Sequence, residues 1–287
     1  MLFNKFKDYL SYEKNFSINT ITAYLKDIND FQNFLIDNGT KISKEINYSF
    51  VRQWIVILSE KKYSKISINR KIASLKSYFN FLVNIGKIKT SPLKGHKNLK
   101  SSSKIVIPFS EDEMDKVFDN FESSNINNRD KLIIEIFYST GIRREELINI
   151  KIKNISFERK VIKVVGKRNK ERMIPMLPNL SSNILNYIDE KDPKIYLFES
   201  SKSKKLSIST IYRIVTKYFR SVSSKVRISP HVLRHTFATH MLNKGADINT
   251  IKEILGHASL SSTQIYTKIK LPKIVSDYNK SHPREID

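Results

Sequence analysis

The chain has 287 residues, 40% of them hydrophobic and 28% charged. That is an ordinary soluble balance in a chain long for one compact core, so two domains are expected. Lys and Arg number 51 against 28 Asp and Glu, a formal charge of +23; a surface so basic repels itself unless it meets a polyanion, most commonly nucleic acid. Cysteine is absent, which excludes disulfides, thiolate metal sites and a cysteine nucleophile.

The positive excess is spread along the chain. The first hundred residues carry 18 Lys/Arg against 7 Asp/Glu, and the remainder 33 against 21. A basic tail would be lopsided, whereas a clamp gripping a duplex from both sides has this distribution. Codon bias toward A and T would inflate Lys, Asn and Ile, all abundant here, but it would also supply Asp and Glu and does not explain the sign. No apolar run reaches membrane-spanning length and no basic amphipathic anchor is present, so no membrane partner is expected. The N-terminus, MLFNKFKDYL, lacks the apolar stretch of a signal peptide, and the cytoplasm is the default compartment.

Residues 1–90 read as helices. Tyr24, Leu25, Ile28, Phe31, Phe34 and Leu35 return every three or four positions and mark one helix face, which Asn38-Gly39 ends. Trp54, Ile55 and Leu58 suggest a shorter helix. Ile68, Ile72, Leu75, Phe79 and Leu82 mark a third, closed by Gly86. These stripes read as core packing. On the opposite faces, Arg70, Lys71 and Lys76 are candidate phosphate contacts, although each alone reads more simply as a solvated charge. Residues 91–107, SPLKGHKNLKSSSKIVI, carry Pro, Gly, a serine triplet and lysines without periodicity, and form the candidate linker between domains 1–90 and 108–287.

The second domain opens at Pro108. Ser110 and Glu113 form a capping box, and a helix follows through Met114 to Phe121. Asp130–Thr140 is apolar enough to be a buried helix, ended by Gly141. Residues 161–176, VIKVVGKRNKERMIPM, alternate around a Gly-Lys-Arg-Asn-Lys centre and predict a β-hairpin. Helices are predicted over roughly 179–190 and 208–220, from Ser229-Pro230 to about Asn243, over about Thr250–Leu255, and around Tyr266.

Four patterns carry chemistry: TGIRREEL at 140–147, Gly166-Lys167 in the hairpin turn, HVLR at 231–234, and Leu-Gly-His257 followed by Tyr266. Singly, each has a bland reading. Arg143 pairs with Glu146, a hairpin lysine aids solubility, His231 is a structural histidine, His257 caps a helix, and Tyr266 is one of thirteen tyrosines. Together, two arginines, two histidines, a lysine and a tyrosine are what metal-free phosphoryl transfer requires. Guanidinium groups bind the non-bridging oxygens bidentately, where charge accumulates in the transition state. A phenol is a competent nucleophile once its proton is removed, and a lysine poised by cationic neighbours can protonate a departing oxygen. A zinc reading of HVLRH lacks the glutamate of the HExxH pattern, and no carboxylate cluster suits magnesium.

The stretches TGIRREEL, VVGKRNKERMIPM, SPHVLRHTFATHML and LGHASLSSTQIYTK resemble the tyrosine recombinase (phage integrase) family. So do their intervals, 24 residues from Arg143 to Lys167 and nine from His257 to Tyr266. SINTITAYLKDINDFQNFL and SINRKIASLKSYFNFL are similar to the family's core-binding domain. The resemblance implies a mainly α fold: a helical, SAM-like N-terminal domain and a mixed α/β catalytic domain with a small hairpin or sheet. It also implies roles. Tyr266 attacks the scissile phosphate to give a 3′-phosphotyrosine, Arg143 and Arg234 hold the non-bridging oxygens, and His257 adds a hydrogen bond. Lys167 is the general acid, His231 accepts the tyrosine proton, and Glu146 orients its helix without being catalytic. No cofactor, metal or ATP is implied, because the phosphotyrosine conserves the bond energy. Arg168 departs from the family's frequent glycine and is a candidate DNA contact.

The implied partners are a duplex DNA site and a homo- or hetero-tetramer, with the segment after Tyr266 packing on a neighbour. A second recombinase and an FtsK-type DNA translocase are possible additions. The tail Ser281-His-Pro-Arg284 looks like the ending of Xer recombinases, which resolve chromosome dimers. A mobile-element integrase, a type IB topoisomerase and an inactive architectural DNA-binding protein are the alternatives.

Overall fold

The computed structural model describes residues 2–40, 46–101, 106–123, 127–166, 170–200, 204–225, 228–256 and 270–284. It divides into two units, 1–104 and 105–287, each built on its own hydrophobic core.

The first unit is helical. Helix α1 (Leu2–Asp8) runs into a wide turn at Tyr9–Glu13, followed by α2 (Ile18–Asp37), α3 (Tyr48–Glu60) and α4 (Lys65–Asn84). Polar caps start the three long helices: Ser17 accepts from the Thr20 N–H, Asn47 from Ser49 and Ser64 from Ser67, each satisfying a donor that the first turn leaves free. The predicted stripes meet inside. Phe31 lies 5.1 Å edge-on from Trp54, with Ile28, Leu35, Ile72, Leu75 and Phe79 around them. Helix α1 has no counterpart among the predicted elements. At seven residues it spans under two turns and shows too little periodicity to read, yet Phe6 is fully buried.

Two expectations for this unit change. Lys71 is not a solvated cation: it is buried, with Nζ 3.0 Å from Asp27 and 2.8 Å from Asp30, and a buried, paired ammonium is not available to a phosphate. The front of the predicted linker is also seated on this unit. Leu93 is buried, and the Asn69 amide brackets the Leu99 backbone with two bonds of 2.9 Å.

The second unit begins with α5 (Glu111–Ser123), started by the predicted capping box. Ser110 N–H donates to Glu113 Oε2 at 2.8 Å, and the Glu113 N–H donates back to Ser110 Oγ at 3.1 Å. Helix α6 (Asn128–Thr140) is buried almost all round and ends at Gly141 in the left-handed region. Then come α7 (Arg144–Leu147) and an antiparallel sheet of β1 (Ile155–Ser156), β2 (Val161–Val165) and β3 (Glu171–Pro175), in that order. The hairpin β2–β3 pairs Val165 with Glu171 and Val161 with Pro175, as the alternation predicts; the two residues of β1 are too few to alternate visibly. Helices α8 (Pro178–Lys191), α9 (Ile208–Arg220), α10 (Pro230–Asn243), α11 (Ile248–Leu255) and α12 (Lys270–Ser281) complete the unit. Among the described residues, no helix is long and apolar enough to cross a membrane.

In the single chain, the end of the C-terminal segment packs on the second unit's core. Ile274 and Tyr278 are buried, Tyr278 Oη donates to the Ser139 carbonyl at 2.6 Å, and His282 is buried beside Tyr138. The helical stretch predicted around Tyr266 lies outside the described residues.

Candidate active site

Helix α6 is stopped by Gly141, at φ +57°. A side chain there would be strained, and its Cβ would lie 2.4 Å from Phe237, so this turn needs glycine. The turn delivers Arg143 to the start of α7. The Arg143 N–H donates to Glu146 Oε2 and its Nη1 to Glu146 Oε1, both at 2.9 Å, so one carboxylate fixes both the backbone and the side chain of Arg143.

Glu146 is itself held from the sheet. Arg172, buried on β3, donates Nη1 to Oε1 at 2.6 Å and Nη2 to Oε2 at 2.8 Å. Burial by itself would raise the Glu146 carboxyl above its ordinary pKa. The Arg172 bonds and charge, with help from Arg143, reverse this and hold it below.

The third guanidinium comes from α10. Arg234 is buried, donating Nη1 to the Gly141 carbonyl and Nη2 to the Leu255 carbonyl, both at 2.6 Å. Arg172 Nε reaches the Ile254 carbonyl at 2.7 Å, and Arg143 Nη2 reaches the Gly256 carbonyl at 3.0 Å. Three consecutive carbonyls at the end of α11 thus each accept from a different arginine. These groups have no partner within the helix, and they are the negative end of its dipole.

Three guanidinium groups therefore converge with one carboxylate. Among the described residues Arg234 hydrogen-bonds carbonyls alone, and its pKa is pushed down to about 9, first by burial and then by the charges of Arg143 and Arg172, against Glu146. It stays charged at neutral pH, but its charge is under-compensated. Arg143 remains partly exposed, so the cluster can present positive charge to an anion arriving from solvent.

The structure brings Arg143 and Arg234 together as the sequence predicts. His231 is exposed at the start of α10, one turn ahead of Arg234. His240, further along the same helix, is engaged inside the core with the Tyr138 hydroxyl and the Phe109 carbonyl, each at 2.9 Å. Lys167, Arg168, His257 and Tyr266 lie outside the described residues. Of their described neighbours, Gly166 N–H donates to the Lys170 carbonyl at 2.7 Å, closing the hairpin neck. A Cβ on Gly166 would lie 3.2 Å from Glu146 Oε1, so the neck abuts the cluster. Gly256, immediately before His257, ends α11 at φ +64°. In the first unit, Arg70 is exposed but its guanidinium is paired bidentately with Asp27, while Lys76 is exposed.

Arg172 was not singled out from the sequence. Its signal was its phase: on an alternating strand it shares the buried face with Ile174, and a charge at a core position of a strand implies a buried partner.

The model of the Phage integrase family matches residues 108–271, more than half of the chain. The chain belongs to that family. The family's N-terminal SAM-like domain model matches residues 3–86, the first helical unit. Among curated relatives, the tyrosine recombinase XerC of Listeria monocytogenes serovar 1/2a is 35% identical over 290 residues, covering 98% of this chain and 97% of that protein. XerC of Oceanobacillus iheyensis is 36% identical, covering 97% and 95%. Among solved structures, XerH site-specific recombinase bound to a palindromic difH substrate superimposes with a TM-score of 0.73 at 19% identity, covering 98% of this chain and 82% of that one. The Tn1549 transposon integrase in complex with circular intermediate DNA gives 0.72 at 19%, covering 95% and 98%. At such identities the two structures establish the fold: this integrase-family chain is mainly helical, with a SAM-like N-terminal domain and a catalytic domain carrying one small sheet.

Proposed function

We propose that this chain is a site-specific tyrosine recombinase that cuts and rejoins duplex DNA through a 3′-phosphotyrosine at Tyr266, with resolution of chromosome or plasmid dimers as its cellular role. The observation that carries the chemistry is the imbalance at the α7–α10–α11 junction, where Arg143, Arg172 and Arg234 meet the single carboxylate of Glu146. That arrangement calls for an anion, and a phosphodiester supplies one.

The steps balance without an external energy source. His231 accepts the phenol proton, the Tyr266 oxygen attacks phosphorus, and the bond to the 5′ oxygen breaks as Lys167 protonates it. Arg143 and Arg234, with His257, neutralise the charge that builds on the non-bridging oxygens. A 5′-hydroxyl from a second strand then attacks the phosphotyrosine and releases Tyr266. The excess of 51 Lys and Arg over 28 Asp and Glu supports a duplex as the partner, and Lys76 is an exposed candidate contact. The near full-length likeness to XerC proteins favours dimer resolution, with four protomers on two duplexes and a DNA translocase as a further partner.

The test begins by recovering the bound site from a random duplex pool, then building it as a nicked suicide substrate. Wild type is expected to form a covalent protein–DNA adduct without metal or ATP, and Tyr266→Phe none. Equal adduct from both proteins would sink the proposal. For the cellular role, a plasmid dimer carrying two copies of the site is expected to resolve to monomers.

A further inference from the structure

We propose that Arg172 is a positioning residue for DNA cleavage: by bridging Glu146 to the end of α11, it holds Arg143 and Arg234 in the geometry that grips the scissile phosphate. The proposal rests on the recombinase reading above and adds to it a residue that does not touch the DNA.

All three guanidinium nitrogens of Arg172 donate to protein. Its two Nη atoms grip both oxygens of Glu146, and its Nε holds the Ile254 carbonyl. Each Glu146 oxygen is then shared. Oε1 lies between Arg172 Nη1 and Arg143 Nη1, and Oε2 between Arg172 Nη2 and the Arg143 backbone N–H. Without Arg172, the carboxylate that orients Arg143 loses two of its four contacts.

The other arm of Arg172 acts on Arg234. Ile254 is the neighbour of Leu255, whose carbonyl holds Arg234, and Gly256, whose carbonyl holds Arg143, comes next. Anchoring residue 254 to β3 fixes the end of α11 against the sheet and so places both acceptors. Three elements distant in sequence, α7, β3 and α11, are locked at one guanidinium.

The fit leaves no slack. A Cβ on Gly256 would lie 3.0 Å from Arg172 Cδ, and one on Gly166 3.2 Å from Glu146 Oε1. Lysine cannot replace Arg172, because one ammonium cannot present a planar bidentate face and a third donor at once. A displacement of about 1 Å at a catalytic group costs about 100-fold in rate.

The experiment uses the full chain and a nicked suicide duplex carrying the recovered site. It measures single-turnover adduct formation at saturating protein, and DNA affinity separately. Arg172→Ala is expected to bind within about 2-fold of wild type and to cleave about 100-fold more slowly. Arg172→Lys is expected to recover no more than about 3-fold of that loss. Because Arg172 acts through Glu146, the double variant Arg172→Ala/Glu146→Gln is expected to be no slower than the slower single variant. A residue that touched phosphate on its own account would instead multiply the two losses, and that result overturns the proposal. So does cleavage by Arg172→Ala within about 3-fold of wild type while Tyr266→Phe stays inactive, which leaves the recombinase reading standing. Should Arg172→Ala melt below assay temperature, Arg172→Lys decides alone, and near wild-type cleavage by it is equally fatal. An inactive wild type would fail the recombinase reading itself.

Discussion

In the first unit, Asp27 sits among Arg70, Lys71 and Ser74, and Asp30 closes the far side of Lys71. In the second, Glu146 sits between Arg143 and Arg172, with Arg234 alongside. Both are knots that tie arginine or lysine to a buried carboxylate, and both hold that carboxylate below its ordinary pKa against the opposing effect of burial. They differ in proportion. The first matches two cations with two carboxylates, so the knot is neutral and complete, and it ties α2 to α4. The second sets three cations against one carboxylate and makes up the difference with helix-end carbonyls, which satisfy hydrogen bonds but do not cancel charge. A balanced knot only holds structure, whereas an unbalanced one also attracts a ligand of the missing sign.

Substitution can break this comparison, and the largest effect is expected at Arg234. Arg234→Met is expected to slow adduct formation about 1,000-fold, about 4 kcal/mol of barrier, as for the loss of one transition-state donor. Its unfolding free energy in urea is expected to stay within about 1 kcal/mol of wild type, because a buried, under-compensated cation contributes little to folding. If Arg234→Met proves as destabilised as a broken neutral knot, the distinction between the two knots collapses.

Asp27→Asn is expected to show the reverse pattern. It removes the buried one of the two carboxylates that hold Lys71, leaving the more exposed Asp30, and costs about 3 kcal/mol of stability, while cleavage by the folded fraction is unchanged. The pH dependence follows from the sign of the shift. Asp27 titrates below the ordinary carboxylate range in the folded chain, so its contribution is complete above that range and is lost as pH falls through the folded value. The gap between wild type and Asp27→Asn should be constant from about pH 5 to 8 and narrow below about pH 4. A gap that widened in acid would contradict the assignment.

The sequence made the skeleton of both units legible and left both knots mostly hidden. Helical stripes such as Ile68 to Leu82 and the alternation of 161–165 report backbone periodicity, and periodicity survives without knowledge of the neighbours. The capping box at Ser110 and Glu113 and the glycine stop at 141 were readable for the same reason: each is decided within four residues. Ion pairs joining distant segments have no such local mark. Lys71 reads as one more surface lysine until Asp27, 44 positions earlier, is packed against it. Arg172 is hidden among the charges of the hairpin. Arg143 and Arg234 were found because the chemistry of a phosphodiester demands guanidinium groups and the family's motifs mark where they fall. The residue that positions them is demanded by packing alone.

Glu113 sharpens the comparison from its weak end, as a charge contact outside both knots. Its carboxylate closes the capping box of α5, accepting from the Ser110 N–H, and also receives Lys225 from the segment after α9. Burial opposes ionisation there, but the bonds from Lys225, Ser223 and the Ser110 backbone outweigh it and bring its pKa down to about 2. Its folded pKa is depressed, so its contribution is complete above the ordinary carboxylate value and disappears as pH falls toward 2. Glu113→Gln is expected to lose up to about 3 kcal/mol at neutral pH, the linkage value of a carboxyl depressed from 4.5 to about 2. The difference from wild type should close between about pH 4.5 and pH 2, followed by thermal melts across that range. Adduct formation should not change at all, because one carboxylate facing one lysine leaves no charge over for a phosphate. A Glu113→Gln variant that cleaved DNA tenfold more slowly at full stability would show that charge balance is not what separates structural from functional contacts in this protein.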